Sequence, residues 1–335
     1  MTGAPGDVLW SRCLHQSSRA MAVSEGSVVV AERNSRLVGL DPLSGEPRWD
    51  ERVEDCWGTA VVAGDRGLYL SQAGVLHCFD LATGQRLWAT PGLSWCYHVT
   101  VSADVVFVGG WRGYRPLMRL SLVNGDRLPL DETPLVDLGP LAWPLPLRLG
   151  RPGQNQAVLV AGTERSVLLM MASSGTVLAE WSLPQPIRIP DGDAAYDAGP
   201  GGRIAFLSGP RTVMVLDPVH GAQVLWQHTR DVRAVPPLLA DRTLWLFDSA
   251  GIAVVDLDRG LVAAVRTHSY GALTAATRAG GRAWFAFADG SLMVVDRSGS
   301  HTMVPRLLPR IDRMAAGEGG LIHAIAKGHL VAFRQ

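Results

Sequence analysis

Short polar and aromatic segments of this chain lead directly into apolar runs, and they carry the residue types that move protons, stack on planar groups or hold anions. Tyr97 and His98 stand side by side just before Val99–Val101, and Tyr270 stands two residues after His268. Imidazole and phenol can give or take a proton in a transition state, so His98, Tyr97 and Tyr270 are the candidate catalytic groups. Arg19, Arg112, Arg233 and Arg313 could fork onto a carboxylate or phosphate, and Trp57 and Trp111 could stack on a planar body. Tyr196, Asp197 and His268 complete the candidate ligand-binding set. Two chemistries fit these residues: binding of a ligand with an anionic group and an apolar or planar body, or cofactor-free proton transfer with arginine stabilising the developing anion.

Familiar catalytic templates are missing. The sequence has no His-Glu-x-x-His, no Gly-x-Ser-x-Gly elbow, no phosphate loop and no dinucleotide fingerprint. His15, His98 and His268 could meet at a metal if their segments converge, but few carboxylates neighbour them to orient the rings. No metal and no cofactor is assigned. His77, His220, His301 and His329 fall on strands or turns and are expected at the surface.

The elements that would position these residues are read from a repeat. Asp41-Pro-Leu-Ser-Gly45-Glu-Pro-Arg-Trp49 and Asp80-Leu-Ala-Thr-Gly84-Gln-Arg-Leu-Trp88 are two copies of one strand–turn–strand unit. Turn glycines recur at Gly45, Gly84, Gly125, Gly175, Gly221, Gly260 and Gly299, at steps of 39, 41, 50, 46, 39 and 39 residues. Such steps suit four-stranded propeller blades. An eighth turn falls due where the chain ends, and Gly6-Asp-Val-Leu-Trp10 supplies it from the other end. The expected fold is therefore an all-β, eight-bladed β-propeller spanning residues 1–335 as a single domain. Its last blade combines strands near Met314–Ala316, Leu321–Ala326 and His329–Phe333 with the N-terminal strand Val8–Cys13.

Each unit reads as an inner strand, a β-rich second strand, an alternating third strand ending in Asp, and a fourth strand bearing Trp. The Asp should bond the turn backbone while Gly takes positive φ, and the Trp should pack between blades. The motif decays in the middle: Ser121 and Pro129 replace Asp and Trp in blade three, Met171 and a displaced Trp181 occur in blade four, and blades six and seven lack the Trp. Blade four also carries an insertion, Arg148–Gln156, expected as a long loop.

Bulk composition narrows the partners. Acidic and basic residues number 31 each, with a pI near 7.1, which removes the electrostatic case for nucleic acid or an anionic membrane. The cations are nearly all arginine, as expected of a GC-rich bacterial genome. Four cysteines show no CxxC spacing, and no leader or membrane-spanning run is visible, so a cytoplasmic location is expected. Cys13, Cys56 and Cys96 each follow a repeat Trp and are expected as small buried residues at related positions in neighbouring blades. A monomer is expected.

The Asp-x-x-[Ser/Thr]-Gly-x-x-x-Trp turn, in eight units closed through the termini, resembles the PQQ-like (quinoprotein-type) β-propeller repeat family. That resemblance implies the fold. Its members include quinone-dependent alcohol dehydrogenases and scaffold propellers of outer-membrane assembly, and this chain departs from both. It has no Cys-Cys dipeptide to hold the quinone, no evident Glu, Asn and Asp cluster for calcium, and no export or lipid-anchor signal.

In a propeller the connections after strands two and four share the face around the axis, where binding sites gather. The candidate residues all fall on such connections, with Gly109-Gly-Trp-Arg-Gly-Tyr-Arg115 the longest. The expected function is binding of a small molecule or peptide in this axial funnel. The alternatives are a cofactor-independent lyase, isomerase or cyclase of specialised biosynthesis, and a protein-interaction scaffold.

Overall fold

Apolar runs broken every few residues by Gly-centred turns leave each segment long enough for a short strand and too short for a helix, and the computed structural model has 32 strands among the described residues. The structure describes residues 6–335 except 16–17, 25, 33–35, 54–57, 111–116, 131–142, 146–156, 164, 189–195, 199–202, 218–219, 234, 268–269, 307, 309 and 318–319. The strands make eight four-stranded antiparallel sheets. Blade one is Ser18–Val23, Val28–Glu32, Arg36–Leu40 and Pro47–Arg52, and blades two to seven follow in chain order with the same meander. Each blade touches the next, and blade eight touches blade one. The insertion Arg148–Gln156 lies outside the described residues.

Blade eight takes three strands from the C-terminus, Ile311–Ala316, Leu321–Ala326 and His329–Arg334, and its outer strand, Val8–Cys13, from the N-terminus. Val8 pairs with Phe333 and Cys13 with His329. The Gly6 N–H donates to the Arg334 carbonyl at 3.0 Å and the Leu14 N–H to the Gly328 carbonyl at 2.8 Å. Both orphan halves of the repeat are thereby used.

The core lies between blades rather than within them. Among the described residues eight apolar clusters form, one at each blade-to-blade interface. A middle strand is therefore covered on both faces. Val28–Glu32 is buried throughout, and so is Leu37–Leu40 of the third strand, where the sequence suggested alternation. Outer strands do alternate, because one face meets the neighbouring blade and the other meets water.

The turn chemistry follows the expected pattern. Asp41 Oδ1 accepts from the N–H groups of Leu43 and Ser44, and Asp80 does the same for Ala82 and Thr83. All eight repeat glycines have positive φ, between +72° and +90°. Positive φ is only half the reason for them. The indole of Trp49, from blade one, lies over Gly84 of blade two, where a Cβ would sit 2.6 Å from the ring. Trp10 covers Gly45, Trp88 covers Gly125 and Trp181 covers Gly221 in the same way. Each of the first three also donates its indole N–H to a carbonyl in the turn that it covers: Trp49 to Leu81 at 2.7 Å, Trp10 to Pro42 at 3.0 Å, Trp88 to Leu122 at 3.0 Å. Removing the closure indole, Trp10→Ala, should cost about 2 kcal/mol of unfolding free energy in denaturant titrations. The exposed neighbour substitution Leu9→Ala should cost less than about 0.5 kcal/mol.

Where the Trp is missing, other residues take its place. In blade three Arg119, from the third strand, reaches the turn of blade four and donates to the carbonyls of Ala172, Ser173 and Ser174 at 2.7, 2.6 and 2.9 Å. In blades six and seven fourth-strand Ala263 and Val304 meet Gly299 and Gly6 instead, and indoles of the second strand fill the rest of the interface. Trp245 donates to the Asp296 carbonyl of blade seven at 3.2 Å, and Trp284 packs on Phe333 of blade eight. The cysteines follow no common register. Cys96 is buried at the start of an inner strand, Cys78 is buried in a third strand, and Cys13 is exposed at the end of an outer strand. Distance from a Trp therefore says little, because connector lengths differ. Cys56 lies outside the described residues.

Candidate functional site

Backbone hydrogen bonds place the two loop sets on one face. The connector after strand four rests on the turn between strands two and three of its own blade: Leu93 N–H donates to Gly74, Leu183 to Arg165, and Val232 to Pro210, all within 2.8 Å. The inner strands begin from this face. In blades one, three, seven and eight the register slips at the second residue of the inner strand, leaving Arg19, Tyr97, Thr274 and Asp312 as bulge residues. A bulge frees backbone groups and re-aims a side chain. Among the described residues, four blades thus share one bulge at the same position of the inner strand. Polar spacing alone picked out Arg19 and Tyr97; nothing in the sequence marked Thr274, which alternates normally with its neighbours.

Tyr97 and His98 sit edge to face, ring centroids 5.4 Å apart at 87°. The Tyr97 carbonyl accepts the Thr59 hydroxyl at 2.8 Å, tying blade three to the inner strand of blade two. Burial pushes the His98 imidazole down to a pKa of about 3, so the ring is neutral at physiological pH. Asp197 also joins blades. Its carboxylate accepts the Leu239 N–H of blade six at 2.8 Å and meets Arg278 Nε of blade seven at 3.3 Å. Leu239 thus has a partner on the edge of its strand away from the sheet, where no neighbouring strand can serve it.

The other candidates separate. Tyr196 packs against the core between blades four and five, with Phe206 and Ile187, and burial pushes its phenol pKa above the ordinary 10.0. Tyr270 packs on Phe287 at 5.5 Å. Arg313 directly follows the bulge in blade eight. Arg233 is exposed, and its N–H donates to the Phe247 carbonyl of blade six's second strand, away from any inner strand. Only the backbone of Arg19 is described. Trp57, Trp111, Arg112 and His268 lie outside the described residues. Trp95 is 59% exposed with φ +68°, so it packs between no blades. Among the described residues no three metal-ligating side chains come together.

Histidines withdrawn from water make stability depend on pH: His323 is buried, and His98 and His77 are partly buried, His77 contrary to the expected surface position. Desolvation lowers the pKa of His98 to about 3; desolvation, then the charge of Arg86, lowers that of His77 to about 4. Desolvation also lowers that of His323, against its bond to the Pro42 carbonyl. The unfolded chain therefore binds more protons than the folded one once pH falls below 6.5, the ordinary histidine value. Stability is complete above that pH and declines towards pH 4, by at most about 1.4 kcal/mol per pH unit for His98, with His77 and His323 adding in the same direction. Denaturant titrations at pH 7 and 5 should show this slope, and His98→Gln should make it shallower.

The chain's first 128 residues match the family described as outer membrane protein assembly factor BamB. That stretch holds the N-terminal strand of blade eight and the strands of blades one to three, including both complete motifs. No curated protein matches the sequence. In three dimensions the chain is similar to BamB from Moraxella catarrhalis, at 14% identity, 98% coverage of this chain, 100% of that chain and a TM-score of 0.71. It is also similar to the computationally designed Ika8 protein, at 18% identity, 98% and 100% coverage and a TM-score of 0.72. A third likeness is to Saccharomyces cerevisiae Sqt1, at 9% identity, 99% coverage of each chain and a TM-score of 0.73. At these identities the solved structures share the fold alone. The fold and the repeat match together bear out the resemblance to PQQ-like propeller repeats.

Proposed function

We propose that this PQQ-like propeller is a non-catalytic binding module that takes a peptide ligand at the axial mouth. The ring of inner-strand bulges carries the reading, because it re-aims residues of four blades at one level of that mouth. Tyr97 offers an amphipathic ring, Arg313 a fork for a carboxylate, and His98 a neutral donor and acceptor. A histidine of pKa about 3 is too weak a base to match proton transfer near neutral pH, which favours binding over the lyase, isomerase or cyclase reading. A polypeptide ligand is preferred over a metabolite because the matched family is described as a protein assembly factor. Cytoplasmic placement stays part of the proposal, and immunoblotting of cell fractions checks it.

Panning a random peptide library against the purified protein tests the reading. Enriched peptides should lose at least tenfold in affinity, by calorimetry, on Tyr97→Ala or Arg313→Ala. They should bind Arg48→Ala, on the opposite face, as they bind the parent. Peptides indifferent to both mouth substitutions would overturn it, as would a ligand converted to product.

A further inference from the structure

A second feature of the same face lies off the axis, over blades five and six. Four backbone segments run side by side there. Pro186–Arg188 rests on the end of blade five's second strand, with Arg188 N–H donating to Leu207 at 2.9 Å and Gly209 N–H to Pro186 at 2.7 Å. The segment His228–Arg233 then bridges to blade six: His228 N–H donates to Arg211, Val232 N–H to Pro210 and Arg233 N–H to Phe247, all within 2.8 Å. A buried peg fixes this bridge. His228 and Asp248 are each only 5% exposed, and His228 Nε2–H donates to Asp248 Oδ2 at 3.0 Å while the Trp226 indole donates to His228 Nδ1 at 3.3 Å.

The shelf carries Arg188, Arg211, Arg230 and Arg233, of which the last three are exposed. Arg188 is immobilised by donating to the Val232 carbonyl at 2.6 Å. Among the described residues two carboxylates stand against these four cations. Asp248 is buried and already accepts from His228 and from the N–H groups of Ala250 and Gly251, with Arg230 at 3.8 Å. Asp231 pairs with Arg211 at 2.7 Å, both side chains more than half exposed, so that pair is cheap to open. In a chain of zero net charge this is, among the described residues, a local excess of forked donors, one of them held in place.

We propose that the shelf between blades five and six docks an acidic peptide segment of a partner protein. The planar guanidinium loses less freedom per hydrogen bond formed than an ammonium does, and carboxylates two to four residues apart in an extended segment can meet successive forks. This site is independent of the axial mouth.

Fluorescence anisotropy with a labelled peptide of eight glutamates tests it. Binding should weaken as salt rises and should fall at least tenfold in the combined variant Arg211→Ala, Arg230→Ala, Arg233→Ala. Exposed arginines are replaced there, so the variant should keep the parent's melting curve. Tyr97→Ala at the mouth and Arg48→Ala on the opposite face should leave affinity unchanged, which separates this site from the axial one. No binding at low salt, equal loss in Arg48→Ala, or tighter binding of a single-stranded oligonucleotide than of the glutamate peptide would overturn it.

Discussion

Arg119→Ala should lower the unfolding free energy by about 4 kcal/mol, against less than about 0.5 kcal/mol for Arg127→Ala on the adjoining strand. Arg119 is 3% exposed, and its guanidinium donates to Ala172, Ser173 and Ser174 in the next blade and to Pro129 in its own. Losing it strips this donor from the buried Ala172 carbonyl and from the partly buried carbonyls of Ser173 and Ser174, and opens a space beside Gly175, above which the Arg119 side chain lies. Arg119→Lys should recover less than half of the loss, because an ammonium on a narrower stem cannot address three successive carbonyls. Arg127 reaches only the Gly92 carbonyl, at 3.5 Å from an exposed position. Denaturant titrations of the three variants decide the matter. Equal losses for Arg119→Ala and Arg127→Ala would mean that the blade-three to blade-four contact does not rest on this residue.

Gly84→Ala should cost about 3 kcal/mol, and Gly64→Ala about 1 kcal/mol. Both glycines have positive φ, +74° and +59°. They differ in what a methyl group would meet: at Gly84 the ring of Trp49 lies 2.6 Å away, whereas at Gly64 nothing lies within 4 Å. Gly64 therefore reports the left-handed backbone alone, and the difference of about 2 kcal/mol reports the contact between blades. A double-mutant cycle separates the two. On a Trp49→Ala background the Gly84→Ala penalty should shrink to about 1 kcal/mol, since the clash has been removed and only the backbone cost remains. An unchanged penalty on that background would show that the indole is not what keeps the turn free of a side chain.

These two residues also mark the limits of sequence reading. Gly84 is the turn glycine of one copy of the motif and Trp49 the tryptophan of the copy before it, so their roles can be read once the repeat is seen. Arg119 stands in no motif. Pro129 announces only that the usual indole is missing, and nothing nearby in sequence says that the replacement comes from the third strand instead of the fourth. Trp245 and Trp284 are visible as tryptophans, but no repeat position says that second-strand indoles fill the interfaces after blades six and seven.

The candidate site divides in the same manner. Arg19, Tyr97, His98 and Arg313 were picked out because polar residues lead into apolar strands, and all four fall at or beside inner-strand bulges. Tyr196 met the same criterion yet packs into the core. Arg233 met it too, but its connector crosses to blade six's second strand and joins the shelf.

What the sequence determined by itself was the blade count, the turn geometry and the closure through the termini. Each depends on local chemistry: positive φ at glycine, a carboxylate bonding its own turn, and alternation that restarts at a fixed interval. Only the tertiary structure decided which side chain fills each blade-to-blade gap, that His98 is held neutral, and that arginines from two connectors and one turn share one shelf. Those outcomes depend on burial and on partners some 20 to 55 residues away along the chain, such as Arg211 with Asp231 and Arg119 with Ser174. Such distances are fixed by how adjacent sheets stack, and no local pattern encodes them.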